Sequence, residues 1–190
     1  ALIKYKELND LKGQGIALNG LGRVCRYVWS FKLAEEYYLK SLEVKKKINS
    51  DYQIAISYLN LGILYKSIGN HKRALDCYYK YGNYAKKLND STKLAKFYNN
   101  IASVYYNTEN FDNAFKYYKK SLNLKRKLKD YIGMSVTYNN IALIFLEMKD
   151  YDKAEIYYRK SIKLDKEHDD KYGLSICYFN LGELQVVQKK

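Results

Sequence analysis

Asparagine is the polar residue that recurs most regularly in this sequence. Four asparagines lie 40 residues apart: Asn60, Asn100, Asn140 and Asn180. A second set lies one position earlier in the same pattern: Asn19, Asn99 and Asn139. Each amide side chain has one acceptor and two donors, so it can pair with both the C=O and the N–H of an extended backbone. This chemistry suits the non-covalent recognition of a polypeptide.

Residues that could support catalysis or hold a metal are few. The chain has two histidines and three cysteines and no Cys-x-x-Cys pair. His168 lies beside Asp169 and Asp170, but no second pair of ligands has the spacing of a zinc site. The glycines from Gly13 to Gly22 lack the preceding strand and the third glycine of a dinucleotide-binding loop. We therefore expect no catalysis, no metal and no cofactor.

The elements that carry the asparagines read as amphipathic helices. Within 91–130, apolar residues follow the i, i+3, i+4, i+7 spacing in two successive stripes. The first stripe contains Leu94, Tyr98, Ile101, Ala102 and Tyr105, and the second contains Phe111, Ala114, Phe115, Tyr118 and Leu122. Residues that cap helix N-termini precede the predicted helices at nine places: Asp10, Ser30, Ser50, Asn70, Asp90, Asn110, Asp130, Asp150 and Asp170.

The two-helix pattern repeats with a period of 40 residues. Small residues recur at Gly22, Gly62, Ala102, Ala142 and Gly182 and at Ala34, Ala74, Ala114 and Ala154, and large ones at Tyr38, Tyr78, Tyr118 and Tyr158. Small residues would let two helices approach closely, and the tyrosines would fill the space one turn further on. We predict a tail of a preceding helix at 1–11, four units at 12–50, 51–90, 91–130 and 131–170, and the first helix of a truncated unit at 171–190.

These residues resemble the tetratricopeptide repeat, whose pattern is W-x2-L-G-x2-Y, then A-x3-F, then P. Three units match it well: Tyr58-x2-Leu61-Gly62-x2-Tyr65 with Ala74-x3-Tyr78, Tyr98-x2-Ile101-Ala102-x2-Tyr105 with Ala114-x3-Tyr118, and Tyr138-x2-Ile141-Ala142-x2-Phe145 with Ala154-x3-Tyr158. The closing proline is missing, and the period is 40 rather than about 34. The longer form resembles the repeats of kinesin light chains, LGN-type polarity adaptors and bacterial Rap-type peptide receptors.

The resemblance implies an all-α fold, a right-handed superhelix of stacked antiparallel helix pairs. It further implies that the first helix of each pair lines a concave groove, where asparagines contact the backbone of a ligand. We therefore expect a non-catalytic scaffold that binds an extended peptide or protein segment. The alternative is a peptide-sensing or regulatory module of a larger bacterial signalling protein, such as a transcription regulator or histidine kinase.

Each asparagine has a second interpretation, which is a hydrogen bond between neighbouring first helices. We favour the groove for Asn60, Asn100, Asn140 and Asn180, because asparagine is an unfavourable residue in the middle of a helix. For Asn19, Asn99 and Asn139 both interpretations remain open. Further groove positions are Arg23, Arg26, Lys66, Ser103, Tyr106, Asn107 and Glu147. The basic members could meet an acidic end of the ligand, or they could simply be solvated.

The net charge of +14 raises the question of nucleic-acid binding. Basic residues cluster at 45–47, 86–87, 119–120 and 125–127. A ridge of this kind could hold phosphates. We favour a solvated face, because the clusters recur once per unit and the tyrosines lie at core spacing, so we expect no nucleic-acid partner.

The ends of the sequence suggest a piece of a longer protein, because Ala1 is not a methionine and the helical repeat pattern is incomplete at both ends. Ends without polar caps favour self-association. No apolar stretch is long enough for a transmembrane helix. The small, odd number of cysteines favours a reducing compartment, so we expect the cytoplasm.

Overall fold

The computed structural model describes residues 1–188. This range contains ten α-helices and no β-strand. The helices are α1 (Leu2–Glu7), α2 (Leu11–Tyr27), α3 (Phe31–Lys47), α4 (Asp51–Ser67), α5 (His71–Lys87), α6 (Ser91–Asn107), α7 (Phe111–Lys127), α8 (Tyr131–Glu147), α9 (Tyr151–Glu167) and α10 (Lys171–Gln188). Helices α2 to α9 each have 17 residues, and three-residue connections join them.

The helices begin where short polar side chains stand. Seven of the nine predicted caps accept a hydrogen bond from the N–H three residues on: Asp10, Ser50, Asn70, Asn110, Asp130, Asp150 and Asp170. Such a cap stabilises a helix by about 1 kcal/mol. Ser30 stands at the predicted N-cap position of α3, but its side chain makes no capping hydrogen bond. There α3 is entered through the backbone, where Ala34 N donates to Ser30 O at 2.9 Å.

The helices end in a turn that recurs every 20 residues. One residue of each turn has a positive φ: Asn9, Trp29, Asn49, Gly69, Asn89, Glu109, Lys129, Lys149 and Asp169. The next N–H then reaches back to a carbonyl five residues earlier, as Asn70 N does to Tyr65 O at 2.8 Å. This is the hydrogen bond of a Schellman motif. Eight of the nine positions hold a residue other than glycine, although the left-handed region is unfavourable for such residues.

The chain divides into two compact units, each of which is larger than one of the predicted 40-residue repeats. The first unit is Ala1–Asp90 with α1 to α5, and the second unit begins at Ser91 with α6. Within each unit, consecutive helices pack as antiparallel pairs. A Cβ at Gly22 would lie 2.6 Å from the Tyr38 ring, and one at Gly62 would lie 2.5 Å from the Tyr78 ring. Ala102 takes the same place in the second unit, where it is buried with Tyr118. The predicted all-α class and the helix pairs are confirmed.

Serines tie the two helices of a pair together at the same position of three repeats. Ser41 Oγ donates to Gly15 O at 2.7 Å, Ser121 Oγ to Ala95 O at 2.9 Å, and Ser161 Oγ to Ser135 O at 2.7 Å. All three serines are fully buried. Each bond therefore satisfies a hydroxyl that would otherwise be costly to bury.

Two lysines of the basic clusters are buried rather than solvated, which corrects the sequence-based interpretation. Lys45 is 1% exposed and donates to Ser57 Oγ of α4 at 3.0 Å. Lys125 is 7% exposed and donates to Thr137 Oγ1 and Gly133 O of α8 at 2.8 and 2.9 Å. Both lie where a second helix packs on the next first helix. Burial disfavours their charged form and lowers the pKa of each to about 8.

Candidate functional site on the first-helix faces

The predicted groove residues lie on the first helices of the pairs. In the first unit these helices are α2 and α4, and in the second unit they are α6, α8 and α10. We call the surface that carries the predicted groove residues the first-helix face of each unit. Predicted residues of the first unit are Asn19, Arg23, Arg26, Asn60 and Lys66, and those of the second unit are Asn99, Asn100, Ser103, Tyr106, Asn107, Asn139, Asn140, Glu147 and Asn180.

An asparagine pair joins the two first helices of the first unit. Asn60 Nδ2 donates to Asn19 Oδ1 at 2.7 Å, and both side chains are half-buried. This is the helix-to-helix bond that the sequence left as an alternative. The bond leaves Asn60 with its acceptor oxygen and Asn19 with its donor NH2 group. The pair therefore keeps hydrogen-bonding capacity while the orientation of both amides is fixed.

The basic residues of the first-unit face differ in the exposure of their charged groups. Arg26 is half-buried, donates to the Tyr38 hydroxyl and lies 4.7 Å from the centre of the Tyr27 ring. Arg23 is exposed, one turn before it. Lys66 is half-buried, and this burial lowers the pKa of its ammonium group. Arg23 is consequently the basic residue of this face with the most accessible charge.

A second asparagine pair has the same register in the second unit. Asn180 Nδ2 of α10 donates to Asn139 Oδ1 of α8 at 2.9 Å. The Cys177 thiol also points to Asn139 Oδ1, at 3.7 Å. The pair spans 41 residues, as Asn60 and Asn19 do. The alternative interpretation thus describes four of the seven predicted asparagines.

The remaining three asparagines are not paired in this way. Asn99 Oδ1 is buried without a hydrogen-bond partner, and no side-chain hydrogen bond within residues 1–188 occupies Asn100 or Asn140. Asn140 stands to Asn99 in the register that Asn60 has to Asn19, yet the bond is not made. A buried acceptor without a partner carries a desolvation penalty. These amides are the part of the second-unit face with unused hydrogen-bonding capacity.

A cavity of about 380 Å³ lies at the end of this face in the second unit. Its lining residues are Tyr106, Asn107, Glu109, Phe111 and Glu147. The Tyr106 hydroxyl donates to Glu147 Oε1 at 3.3 Å and so links α6 to α8. Burial and the nearby Glu147 carboxylate together raise the pKa of Tyr106. The cavity thus combines an aromatic wall with acidic groups.

The regular 40-residue spacing of tyrosines on the second helices brings hydroxyls beneath the first helices. The Tyr118 hydroxyl shares a hydrogen bond with the hydroxyl of Ser103 on the second-unit face. The hydroxyls of Tyr78 and Tyr158 are buried without a partner. Burial raises the pKa of Tyr158, and so do the neighbouring Tyr106 and Glu147. These hydroxyls are donors close to the candidate site.

Sequence reasoning identified Tyr106, Asn107 and Glu147 as groove residues, and the structure brings these three to one cavity. It missed Glu109 and Phe111, which line the same cavity. Glu109 lies in the turn after α6 and has a φ of 56°. Phe111 was assigned to the apolar stripe of the second helix. A turn residue two positions after a predicted groove residue is the signal that could have found Glu109.

The histidines and cysteines do not form a reactive cluster. Burial raises the pKa of the Cys77 and Cys177 thiols to about 11, and His168 stacks on Tyr131 with ring centres 4.3 Å apart. Within residues 1–188, no three His, Cys, Asp or Glu side chains are grouped so that they could hold a metal ion. Over the same range, no helix combines the length and the apolar character that crossing a bilayer requires.

Comparison with protein-family models gives one match. The model described as "Tetratricopeptide repeat" matches residues 13–81 and 93–167, which is more than half of the chain. No curated protein sequence matches the chain.

Several solved structures are similar to this fold. Aspartyl phosphate phosphatase F from Bacillus subtilis has a TM-score of 0.87 at 15% identity, over 94% of this chain and 47% of that chain. BtubC (BKLC) from P. vanneervenii has a TM-score of 0.73 at 16% identity, over 98% and 85%. A Rap protein complexed with Competence and Sporulation Factor has a TM-score of 0.75 at 16% identity, over 93% and 55%. At these identities the likeness concerns the fold.

Proposed function

Because this chain belongs to the tetratricopeptide repeat family, we propose that it is a non-catalytic protein-interaction scaffold. Its ligand is an extended peptide or protein segment, which binds along the first-helix faces. The single observation that carries this proposal is the set of unused amides in the second unit. Asn100 and Asn140 make no side-chain hydrogen bond within residues 1–188, and both are only half-buried, so their amides can be reached by a ligand.

An extended backbone supplies what these amides lack. Its N–H groups can donate to Oδ1 atoms, and its carbonyls can accept from Nδ2 atoms, whatever the side chains of the ligand are. The cavity beside Tyr106 and Glu147 then provides specificity, because it accepts one side chain of limited size and favours a basic or hydroxyl-bearing one. The paired asparagines Asn60 and Asn180 contribute their remaining acceptors.

An acidic end of the ligand, one of the two interpretations of the basic groove residues, fits the first unit alone. Arg23 is exposed there, and Arg26 is held by Tyr38 and Tyr27. The cavity of the second unit instead carries Glu109 and Glu147. We therefore propose that the first-unit face meets an acidic group through Arg23 and, separately, that the second-unit cavity takes a basic or neutral group.

The test uses linear peptides selected from a random displayed library on the wild-type protein. We expect Asn100→Ala combined with Asn140→Ala to weaken the selected peptides at least about tenfold in calorimetry, since each lost hydrogen bond contributes about 1 kcal/mol. The matched control is Asn83→Ala combined with Asn113→Ala, which removes two amides from the second helices α5 and α7.

Circular dichroism must show that both variants keep their helices. Equal affinity of the wild type and the Asn100/Asn140 variant would contradict the proposal. An equal loss in the control variant would also contradict it, because the effect would then not depend on the first-helix face.

A second candidate function is a peptide-sensing or regulatory module of a larger bacterial signalling protein. It is supported by the likeness to a Rap protein that was solved with Competence and Sporulation Factor. The full-length gene tests it: a helix-turn-helix domain or a kinase domain on the same chain would favour this alternative over a free-standing scaffold.

We propose no catalytic role, although one structural neighbour is called a phosphatase. The support is the chemistry of the thiols, which burial keeps protonated with a pKa of about 11 at Cys77 and Cys177. All three cysteines are free, which supports the cytoplasm as the compartment. Release of phosphate from a phospho-aspartyl protein by the purified chain would overturn this part of the proposal.

A further inference from the structure

Another cavity of the second unit is lined by basic side chains. It lies between α7, α8 and α9, on the side of the second helices, and has a volume of about 480 Å³. Four basic side chains surround it: Lys119, Lys120, Arg126 and Lys160. Tyr138 and Tyr157 complete its wall, and no carboxylate lines it.

These cations are not neutralised by the protein. Among the described residues, none of the salt bridges involves Lys119, Lys120, Arg126 or Lys160. Like charges that share one small cavity repel each other within the Debye length of about 8–10 Å. An anion that enters the cavity relieves this repulsion and gains charge-assisted hydrogen bonds.

The lysines are held in place by aromatic rings. Lys120 Nζ lies 5.1 Å from the centre of the Tyr117 ring, Lys160 Nζ lies 4.7 Å from that of Tyr157, and Lys119 Nζ lies 5.3 Å from that of Phe115. A ring face attracts the ammonium group without accepting its hydrogens as a carboxylate would. The ammonium donors therefore stay available for a ligand.

The next repeat offers an internal comparison. A cavity of about 420 Å³ occupies the same register there and contains Arg159, Lys166 and Tyr178 in place of Lys119, Arg126 and Tyr138. That cavity also contains Lys163 and Glu167, whose charged groups lie 3.8 Å apart, and its Arg159 is bonded to Glu155 at 2.6 and 2.8 Å. Its charge is thus partly neutralised. The uncompensated charge belongs to the cavity between α7, α8 and α9 and is not a general property of the repeat.

We propose that the cavity between α7, α8 and α9 binds an oligophosphate chain, such as that of a nucleoside triphosphate or of inorganic polyphosphate. Several cations around one space match a multiply charged linear anion, and the Arg126 guanidinium can bind two phosphate oxygens at once. The Tyr157 ring already contacts Phe145 at 5.5 Å and Lys160. The cavity therefore offers charge and little stacking surface, so it recognises the phosphates and not a base. This site is independent of the first-helix faces.

The test is calorimetric titration of the whole chain at low salt with sodium tripolyphosphate, ATP and AMP. We expect tripolyphosphate and ATP to bind with similar affinity and AMP to bind at least about tenfold more weakly, because it carries fewer charges. In the variant with Lys120→Gln and Arg126→Gln, tripolyphosphate should bind at least about tenfold more weakly than in the wild type.

The matched control is Lys40→Gln combined with Lys46→Gln. These residues hold the same repeat positions on α3, are exposed, and remove the same charge. We expect the control variant to keep its affinity for tripolyphosphate within about twofold. No binding by the wild type, an equal loss in both variants, or binding of ATP without binding of tripolyphosphate would each overturn the proposal. Circular dichroism verifies that the variants are folded.

Discussion

Lys45 and Lys125 occupy buried positions where a charge is energetically unfavourable. Lys125 has two hydrogen-bond acceptors, Thr137 Oγ1 and Gly133 O, whereas Lys45 has Ser57 Oγ alone. Both are enclosed by a second helix and the first helix that follows it. Burial lowers the pKa of each lysine to about 8 from an ordinary value of 10.5. Folding is therefore easier when these lysines are neutral.

We predict that the free energy of unfolding rises between pH 7 and pH 9. Over this interval the folded protein loses protons from Lys45 and Lys125 while the unfolded chain keeps them, so stability increases with pH. The expected gain is about 1 kcal/mol for each lysine. Chemical denaturation at several pH values measures it.

The control variant is Lys45→Met combined with Lys125→Met, in which the rise should disappear. The interval ends at pH 9 because Cys77 and Cys177 oppose the effect above that value. Their pKa is raised from 9.0 to about 11, so the unfolded chain ionises first and stability falls. A wild-type stability that is flat or falling from pH 7 to pH 9 would contradict the role of the lysines.

At this scale the sequence located residues better than it assigned their contacts. The period of 40 found every asparagine of the first-helix faces, but it could not distinguish Asn60, which bonds to Asn19, from Asn140, which does not bond to Asn99. That difference depends on side-chain rotamers. The burial of Lys45 was missed because a lysine that opens a run of three lysines has the pattern of a solvated face.

Among the helices, α2 contains four glycines, of which Gly20 and Gly22 have different surroundings. A Cβ at Gly20 would meet nothing within 4 Å, whereas one at Gly22 would lie 2.6 Å from the ring of the buried Tyr38. Alanine is favoured over glycine inside a helix by about 0.5–1 kcal/mol. Overpacking against a ring that cannot move costs about 1–3 kcal/mol.

We therefore predict that Gly20→Ala raises the melting temperature by about 2–4 °C and that Gly22→Ala lowers it or leaves it unchanged. Calorimetric melting of the two variants measures the difference. Ala102 beside Tyr118 shows that a methyl group can be accepted at this register when the pair has adjusted to it. Equal stabilisation by both substitutions would show that α2 and α3 adjust without cost.

The helices were predictable because their signals are local. Capping residues and apolar stripes lie next to the backbone that they organise, and seven predicted caps form. The turns were less predictable. Trp29 and Lys129 adopt a positive φ, although neither residue type favours it. The hydrogen bonds and packing at the end of the helix impose this conformation.

At the scale of the whole molecule, the two compact units divide the core. One cluster of buried side chains extends from Ala102 to Leu184 and lies entirely in the second unit. In repeat proteins, stability comes from contacts between neighbouring repeats. The second unit thus contains the contacts that its own helices need.

We predict that residues 91–190, expressed alone, remain helical and melt in a single transition, as followed by circular dichroism. A shorter piece, 111–190, lacks α6 and exposes Ala114 and Tyr118 to solvent, so it should be less stable by several kcal/mol. If residues 91–190 are unfolded at room temperature, the assignment of an independent core is contradicted. The longer piece also carries both proposed sites of this unit, so each can be studied on it.

The turn that recurs every 20 residues has a consequence for the gene. Since two turns complete one repeat, any stretch of forty codons begins and ends at the same structural position. Misaligned recombination between two repeats within one unit then removes or adds a complete helix pair together with its caps, its left-handed turn residues and its small-to-large contact. We therefore expect that removing or adding forty residues within one unit preserves the helix pairs, whereas an insertion of another length interrupts the register of the turns.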